Sequence, residues 1–416
     1  MMKSMTISKY HNADNCYAWI WLPGETSPVT AGKLVYKNAK YSFTYGQHYR
    51  QLERAISFSP FELPLKAGTF TPPGISPMHS PLRDASPDAW GRRLIQYQHP
   101  DIIPNEIDYL LLSGSDRVGA LDFQSSPDHY EARGQSHPTL DCIPQFADIA
   151  EKENDITKTL APLLLHGTSI GGARPKCFIE YQQATHIAKF SLSTDLYPII
   201  KAESIAMQLA KHIGLDAATT CFHHVLDRDV LLIKRFDRKQ TPSGATRNFM
   251  LSALSLLQLD EMEARYASYI DLAHIIRQHF TSPTKTLKEL FQRLVFNILI
   301  GNTDDHARNH AAFWDGKALT LTPAYDLCPQ LRAGQEATQA MAINGNEGNF
   351  STLSNALSVC HHFLLETNTA KNLIQRQIDL LESHWLEMCE SVSLSNREKN
   401  QLWGTVIRSE YALQGW

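Results

Sequence analysis

Apolar and polar residues alternate in short runs between positions 18 and 58: Ala18-Trp19-Ile20-Trp21-Leu22, Gly32-Lys33-Leu34-Val35-Tyr36 and Tyr41-Ser42-Phe43-Thr44-Tyr45. The last has the period of a half-buried strand. A Pro- and Gly-rich stretch, 63–81, reads as an ordered loop. Ser86-Pro87-Asp88 suits a helix start, with Ser at the N-cap, Pro in the first turn and Asp at the positive end of the dipole. That helix runs toward Gln98, and a second is expected from Asn105 to Ser113, stopped at Gly114. Residues 125–155 are polar and without period, which predicts a domain boundary there.

Beyond this boundary the pattern is mixed. Residues 176–181, 185–190 and 230–236 read as strands. Between them Ala202, Ile205, Ala206, Leu209, Ala210 and Ile213 fall at helical spacing, with Gly214 as a stop. From Phe249 onward the pattern is mainly helical. Leu287, Leu290, Phe291, Leu294, Val295, Ile298 and Leu299 form one apolar face, and Thr286-x-x-Glu289 stands where a capping box would. The polar run after this helix hangs on a buried support, a common setting for catalytic groups.

Composition narrows the class. A chain of 416 residues exceeds one ordinary core and predicts two or three domains. Hydrophobic content of 43% and charged content of 20% are those of a soluble globular protein. The net charge of -4 argues against a surface built wholly for nucleic acid. Seven scattered cysteines without a Cys-x-x-Cys point to a reducing compartment and away from a disulfide frame or a zinc ribbon. The polar start lacks an apolar signal core, and no run is long enough to span a membrane, so a cytoplasmic enzyme is expected. No internal repeat is visible.

The chemistry concentrates in Gly301-Asn302-Thr303-Asp304-Asp305-His306-Ala307-Arg308-Asn309, followed by Leu321-Thr322-Pro323-Ala324-Tyr325-Asp326. An Asp, an Asn five positions on and a second Asp make the layout of a phosphoryl-transfer enzyme. One carboxylate orients a hydroxyl, while an amide and a second carboxylate hold the magnesium that bridges ATP phosphates. The order matches protein kinases, although neither His-Arg-Asp nor Asp-Phe-Gly occurs. The bland alternative is a capped helix end, but five polar residues exceed what a cap needs. His306 and His310, four apart beside Asp304 and Asp305, could instead ligate a hydrolytic metal; that reading lacks the glutamate of the zinc-protease helix.

Two further segments fit the kinase reading. In Thr168-Ser169-Ile170-Gly171-Gly172-Ala173-Arg174-Pro175-Lys176, paired glycines let backbone N–H groups approach phosphate, and Arg174 and Lys176 add positive charge. Lys189 lies in the apolar run Ile187-Ala188-Lys189-Phe190 and needs a partner if buried, for which Glu203 on the next helix is available. Its alternative is an edge-strand lysine whose head reaches water. Lys234-Arg235-Phe236-Asp237-Arg238 ends a strand; its basic residues either contact a partner or coat a hairpin, with paired charges on a solvated turn as the default.

Taken in order, these motifs resemble the HipA family of bacterial toxin kinases. The family's Gly-Asn-x-Asp-Asp-His-x-Lys/Arg-Asn signature stands at 301–309. Val35-Tyr36-Lys37-Asn38, Ser59-Pro60 before Leu63-Pro64-Leu65, and Ser86-Pro87-Asp88-Ala89-Trp90-Gly91-Arg92-Arg93 resemble its N-terminal module. The resemblance implies an α+β, protein-kinase-like fold. Its parts would be a β-rich N-terminal module (1–125), a mixed N-lobe with the glycine loop (156–243) and an all-helical C-lobe with the catalytic loop (244–416). It implies Asp304 as the base, Asn309 and Asp326 on Mg²⁺, and Lys189 on the ATP phosphates. Residues Gly171 to Lys176, Ala173 included, would cover the nucleotide, Lys234 to Phe236 would line the adenine side, and His306 would lie near it. Ser169 matches the loop serine that such kinases phosphorylate on themselves, with Thr168 as its neighbour. Arg174-Pro175 stands where some members carry Gln-Glu, and Lys234 where an acidic residue can occur.

The function so implied is an ATP-dependent serine/threonine protein kinase, the toxin of a toxin–antitoxin pair. A HipB-like helix-turn-helix antitoxin would restrain it, and operator DNA would be met only through that complex. Relatives phosphorylate an aminoacyl-tRNA synthetase, which makes such an enzyme a candidate substrate by analogy. The alternative is a catalytically silent kinase fold serving as corepressor beside its DNA-binding partner.

Overall fold

The structure, a computed structural model, describes residues 13–134, 137–151, 165–169, 171–331, 334, 336–345 and 348–416. The polar start as far as residue 12, residues 135–136 and 152–155 of the expected boundary, the first residues of the expected N-lobe (156–164) and Ile170 of the glycine loop lie outside these. Packing divides the chain into two compact units. Unit 1 holds the residues up to Lys189 together with Arg235–Met250; unit 2 holds Phe190–Lys234 together with Leu251–Trp416. The three motif-based regions partition the chain by chemistry instead, and we keep them as a proposal.

Unit 1 opens with strands β1 (Asn15–Ile20), β2 (Val29–Lys37), β3 (Lys40–Tyr45) and β4 (Thr69–Phe70), joined later by β5 (Leu121–Gln124). They form one antiparallel sheet in the order β4-β3-β2-β1-β5. The alternation expected of β3 holds: Tyr41, Phe43 and Tyr45 turn inward. Phe43, Tyr45, Tyr49 and Phe58 pack ring on ring beneath the sheet, a large apolar payload for so small a layer. The stretch expected to be loop throughout, 63–81, contributes edge strand β4 and the start of a short helix, Ser80–Asp84.

Helix α1 (Ala89–Gln98) starts later than the Ser-Pro-Asp pattern predicts. Asp88, not Ser86, is the N-cap residue, and Ser86 stays in the preceding segment, where its hydroxyl donates to Glu106. Helix α2 (Glu106–Leu112) follows expectation, with Asn105 and Asp108 in a reciprocal capping box. A helix with no sequence forecast, α3 (Ile143–Glu151), lies in the polar stretch. Strands β6 (Lys176–Tyr181) and β7 (Ala184–Phe190) then pair as a hairpin.

A buried ion-pair network ties unit 1 together. Arg117 and Asp122 pair at 2.9 Å with both side chains fully enclosed, and Arg133 reaches Asp122 at 3.1 Å. Burial alone would raise the Asp122 carboxyl, but Arg133 and Arg117 outweigh it and hold the group at about 2. Its folded value thus lies below its unfolded one. The stabilisation is complete above the ordinary carboxylate pKa and lost as pH falls toward 2, a loss of about 2 kcal/mol. Urea unfolding at pH 7 and at pH 3 measures this. Replacing Asp122 by Asn should remove its share of the pH dependence, and an unchanged slope would contradict the assignment.

Unit 2 carries α4 (Ile199–Ile213), closed by left-handed Gly214, then the hairpin β8 (Thr220–Val225) and β9 (Arg228–Lys234). Beyond it come α5 (Tyr269–His279), α6 (Pro283–Ile300), the hairpin β10 (Ala311–Trp314) and β11 (Leu319–Leu321), and the long α7 (Thr367–Ser391). Helix α6 is the core of the unit, and every residue from Arg293 to Ile300 is buried. The capping box expected at Thr286 is absent. The helix begins one turn earlier, at Pro283 behind Ser282, because proline suits the first helical position. Thr286 instead bonds back to Ser282 O at 2.9 Å, and Glu289 pairs with Arg293 one turn on.

Candidate active site

The candidate catalytic loop starts where α6 stops. Gly301 adopts φ +66, and its N–H closes on Asn297 and Ile298 carbonyls. A Cβ at this position would lie 2.5 Å from Val406 O. Gly301→Ala therefore combines left-handed strain with a backbone clash, and we expect a loss of about 3 kcal/mol in urea unfolding. A variant as stable as the wild type would show that the loop has room to relax.

Main-chain and amide bonds then fix the loop. Asn302 Nδ2 donates to Asn297 Oδ1 at 2.9 Å and lies 3.4 Å from Asp326 O. Gly301 O accepts from Gln330 N–H, and Thr303 O from Ala340 N–H. Asn309 Nδ2 donates to Asp304 O at 3.1 Å, which leaves its amide oxygen for a cation. Tyr325 donates its hydroxyl to Arg308 O at 2.7 Å, so the Pro-Ala-Tyr-Asp segment is bolted to the loop that carries Asp304. Asp326 itself sits at φ +59, a conformation that non-glycine residues rarely hold unless their surroundings impose it. Ala324 supplies part of that constraint, bonding in both directions to the Asp216–Ala218 segment.

Charge is concentrated here. Asp304 opens to solvent, yet enclosure on its protein side pushes its carboxyl above the ordinary range. His306 opposes this, and the neighbouring charges of Asp326 and Asp305 add to the rise. The Asp304 and Asp326 carboxylates and the Asn309 amide oxygen are hard donors of the kind that suit Mg²⁺, and a divalent cation would relieve the repulsion between the two acids. His306 Nδ1 is enclosed without a hydrogen-bond partner, an atom that a ligand could satisfy.

Asp305 and His310 have a different task. Asp305 accepts from the Tyr269 hydroxyl and pairs with His310 Nε2 at 2.9 Å, all three side chains buried. His310 is thereby turned into the core, which takes it out of the hydrolytic-metal reading. Among the described residues no group of three or more His, Cys, Asp or Glu side chains is arranged for a metal ion. The buried triad was not foreseen: Asp305 looks like its neighbour in sequence, and Tyr269 is distant. Of the other expected residues in unit 2, Glu203 is buried within α4 and Lys234 is exposed at the end of β9.

The remaining expected residues belong to unit 1. Gly172 has φ +93, a left-handed conformation that favours glycine, and Gly171 and Ala173 are exposed. Lys176 folds its Nζ back onto Gly171 O at 2.8 Å, and Arg174 is partly enclosed. Lys189 is buried in β7, opposite Lys176 in register, so the water-reaching alternative does not describe it. Thr168 and Ser169 are both buried, and Thr168 Oγ1 accepts from Gly114 N–H at 2.9 Å.

The Arg-Phe-Asp-Arg segment corrects the expectation of a solvated turn. Arg235 grips Asp237 with two bonds, at 2.9 and 2.6 Å, and its other donors reach Asp116 O and Arg117 O. Its guanidinium also lies 4.6 Å over the Phe178 ring. Burial would depress this guanidinium, but Asp237 and Asp116 raise it overall. The side chain is fully committed within unit 1, while Phe236 is half-buried beside it.

Comparisons with known proteins extend this picture. The family profile of the HipA-like C-terminal domain matches residues 168–385, and that of the HipA N-terminal domain matches 21–124. A serine/threonine-protein kinase toxin HipA of Shewanella oneidensis is 25% identical over 204 residues, 42% of this chain and 46% of that protein. A putative kinase Y4mE of Sinorhizobium fredii is 26% identical over 155 residues, 36% of each chain. The chain thus spans less than half the length of either curated relative. Among solved structures, HipA of the Shewanella oneidensis MR-1 toxin–antitoxin system, determined with HipB and operator DNA, superposes with a TM-score of 0.71 at 17% identity. That match covers 94% of this chain and 96% of the other, and it shows the same α+β, kinase-like fold.

Proposed function

Because the chain belongs to the HipA family, we propose that it is an ATP-dependent serine/threonine protein kinase and the toxin of a toxin–antitoxin pair. The observation that carries the reading is the convergence of Asp304, Asn309 and Asp326 on one braced loop system in unit 2. In this reading Asp304 takes the proton from a Ser or Thr hydroxyl as it attacks, while Asp326 and Asn309 hold Mg²⁺. Mg²⁺ with ATP supplies the transferable phosphoryl group and neutralises its charge. Lys189 and the 171–176 loop hold the phosphates, Glu203 orients Lys189, and Lys234, Phe236 and His306 line the nucleotide. The Arg235 side chain spends its donors on Asp237, Asp116 and Arg117 within unit 1, so it is given no contact with the ligand.

Ser169 is the proposed autophosphorylation site. It is buried, so the loop must open before it can receive a phosphate, and a dianion there would keep the loop from closing on a triphosphate. A helix-turn-helix antitoxin and, through it, operator DNA are the proposed partners; the solved relative was determined with HipB and operator DNA. A protein substrate such as an aminoacyl-tRNA synthetase remains an analogy. A cytoplasmic location accords with seven free cysteines. Among the described residues no helix is long and apolar enough to cross a membrane.

Incubation with radiolabelled ATP and magnesium, followed by mass spectrometry of the 165–176 peptide, tests the chemistry. Label on Ser169 that disappears on chelation of magnesium is expected. Label on Thr168 alone would move the assignment, and no transfer to itself or to any added protein would favour the corepressor. Co-purification with a small helix-turn-helix protein encoded beside it tests the toxin role.

A further inference from the structure

The Ser-Pro-Asp-Ala-Trp-Gly motif has no part in the chemistry above, yet within unit 1 it meets the glycine loop at several points. Gly172 N–H donates to Asp88 Oδ2 at 2.9 Å, and Trp90 N–H reaches Gly172 O at 3.3 Å. Trp90 Nε1 donates to Lys176 O at 2.8 Å, at the far end of the loop. At the near end, Gly91 lies so close to Thr168 that a Cβ there would stand 2.3 Å from Thr168 O. Arg83 approaches the other Asp88 oxygen at 3.3 Å and orients the carboxylate.

From these contacts we infer that Asp88 and Trp90 are positioning residues, which set the conformation in which the glycine loop meets the nucleotide phosphates. The inference rests on the kinase reading of the site. A loop with adjacent glycines has wide conformational freedom, and that freedom is lost on binding unless it has been removed beforehand. The Asp88 carboxylate fixes the peptide plane at Gly172, and the Trp90 indole fixes the exit at Lys176. A charge-assisted bond to a backbone N–H is among the stronger means available. The N-terminal helix therefore prepares the loop without touching substrate.

Three variants of the full chain test this. Asp88→Ala removes the acceptor, Asp88→Asn keeps one, and Trp90→Phe keeps the ring but loses the indole N–H. Amide hydrogen exchange over 171–176 without nucleotide, and KM and kcat for ATP, are the readouts. Asp88→Ala should speed exchange at the loop about tenfold and raise KM for ATP about tenfold, with kcat within about twofold. Asp88→Asn should lie near the wild type in both, and Trp90→Phe should move in the same direction as Asp88→Ala.

Unchanged exchange and KM in Asp88→Ala, with phosphate transfer intact, would overturn the inference and spare the kinase reading. A lowered KM would overturn it too, showing Asp88 to compete with phosphate. Equal failure of Asp88→Ala and Asp88→Asn, with a global loss of stability, would reduce the contact to structure. If the wild type binds no ATP, both readings fall.

Discussion

Replacing Asp304 by Asn is expected to slow phosphoryl transfer about 10³-fold while nucleotide affinity changes by no more than about twofold. The amide matches the carboxylate in shape, so the Tyr325–Arg308 brace and the Asn302 bonds have no reason to move. What is lost is a base that can take a hydroxyl proton. Asp326 and Asn309, to which the reading assigns the cation, keep their side chains in this variant. The pH profile offers a second check. The Asp304 carboxyl is raised, so activity should fall on acidification at a pH above the ordinary carboxylate range, and the residual activity of the Asn variant should lack that limb. Labelled transfer measured over a range of pH decides it, and equal labelling in wild type and variant would remove Asp304 as the base.

Arg235→Ala should be strongly destabilising, costing about 3–5 kcal/mol. It strips two bonds from Asp237, leaving that buried carboxylate without its main partner, and takes a second cation from Asp116, which keeps Arg238. Arg235→Lys should recover little, because an ammonium cannot reproduce the two-pronged grip at 2.9 and 2.6 Å. Urea unfolding measures the effect. A stable Arg235→Ala protein with a raised KM for ATP would return the guanidinium to the nucleotide site and reject the structural role.

These two residues mark how far sequence reasoning reaches. Asp304 and Asn309 could be nominated because a polar run follows a buried helix, and Asp326 because it closes the next motif; the sequence did not separate them from Asp305, which serves the core. Gly214 and Gly301 were legible as stops, since α4 and α6 end in left-handed turns that glycine accepts. Helix starts were less so. Ser86 and Thr286 are good cap residues in isolation, yet Asp88 and Ser282 take those places, because the backbone turns where tertiary packing lets it. Arg235 was misread for a different reason. Its partners at Asp116 and Arg117 lie more than a hundred residues away, and local charge pattern says nothing of them. A separation of 84 residues likewise hid Asp88 from Gly172.

The course of the polypeptide through unit 1 bears on how such genes can recombine. That unit is assembled from two separate stretches, and the Asp116–Arg235 and Gly119–Asp237 contacts stitch the second into the first. No single crossover can therefore transplant it whole. A chimera joined between residues 190 and 234 would inherit Asp116 from one parent and Arg235 from the other, so only parents agreeing at both positions should yield folded offspring.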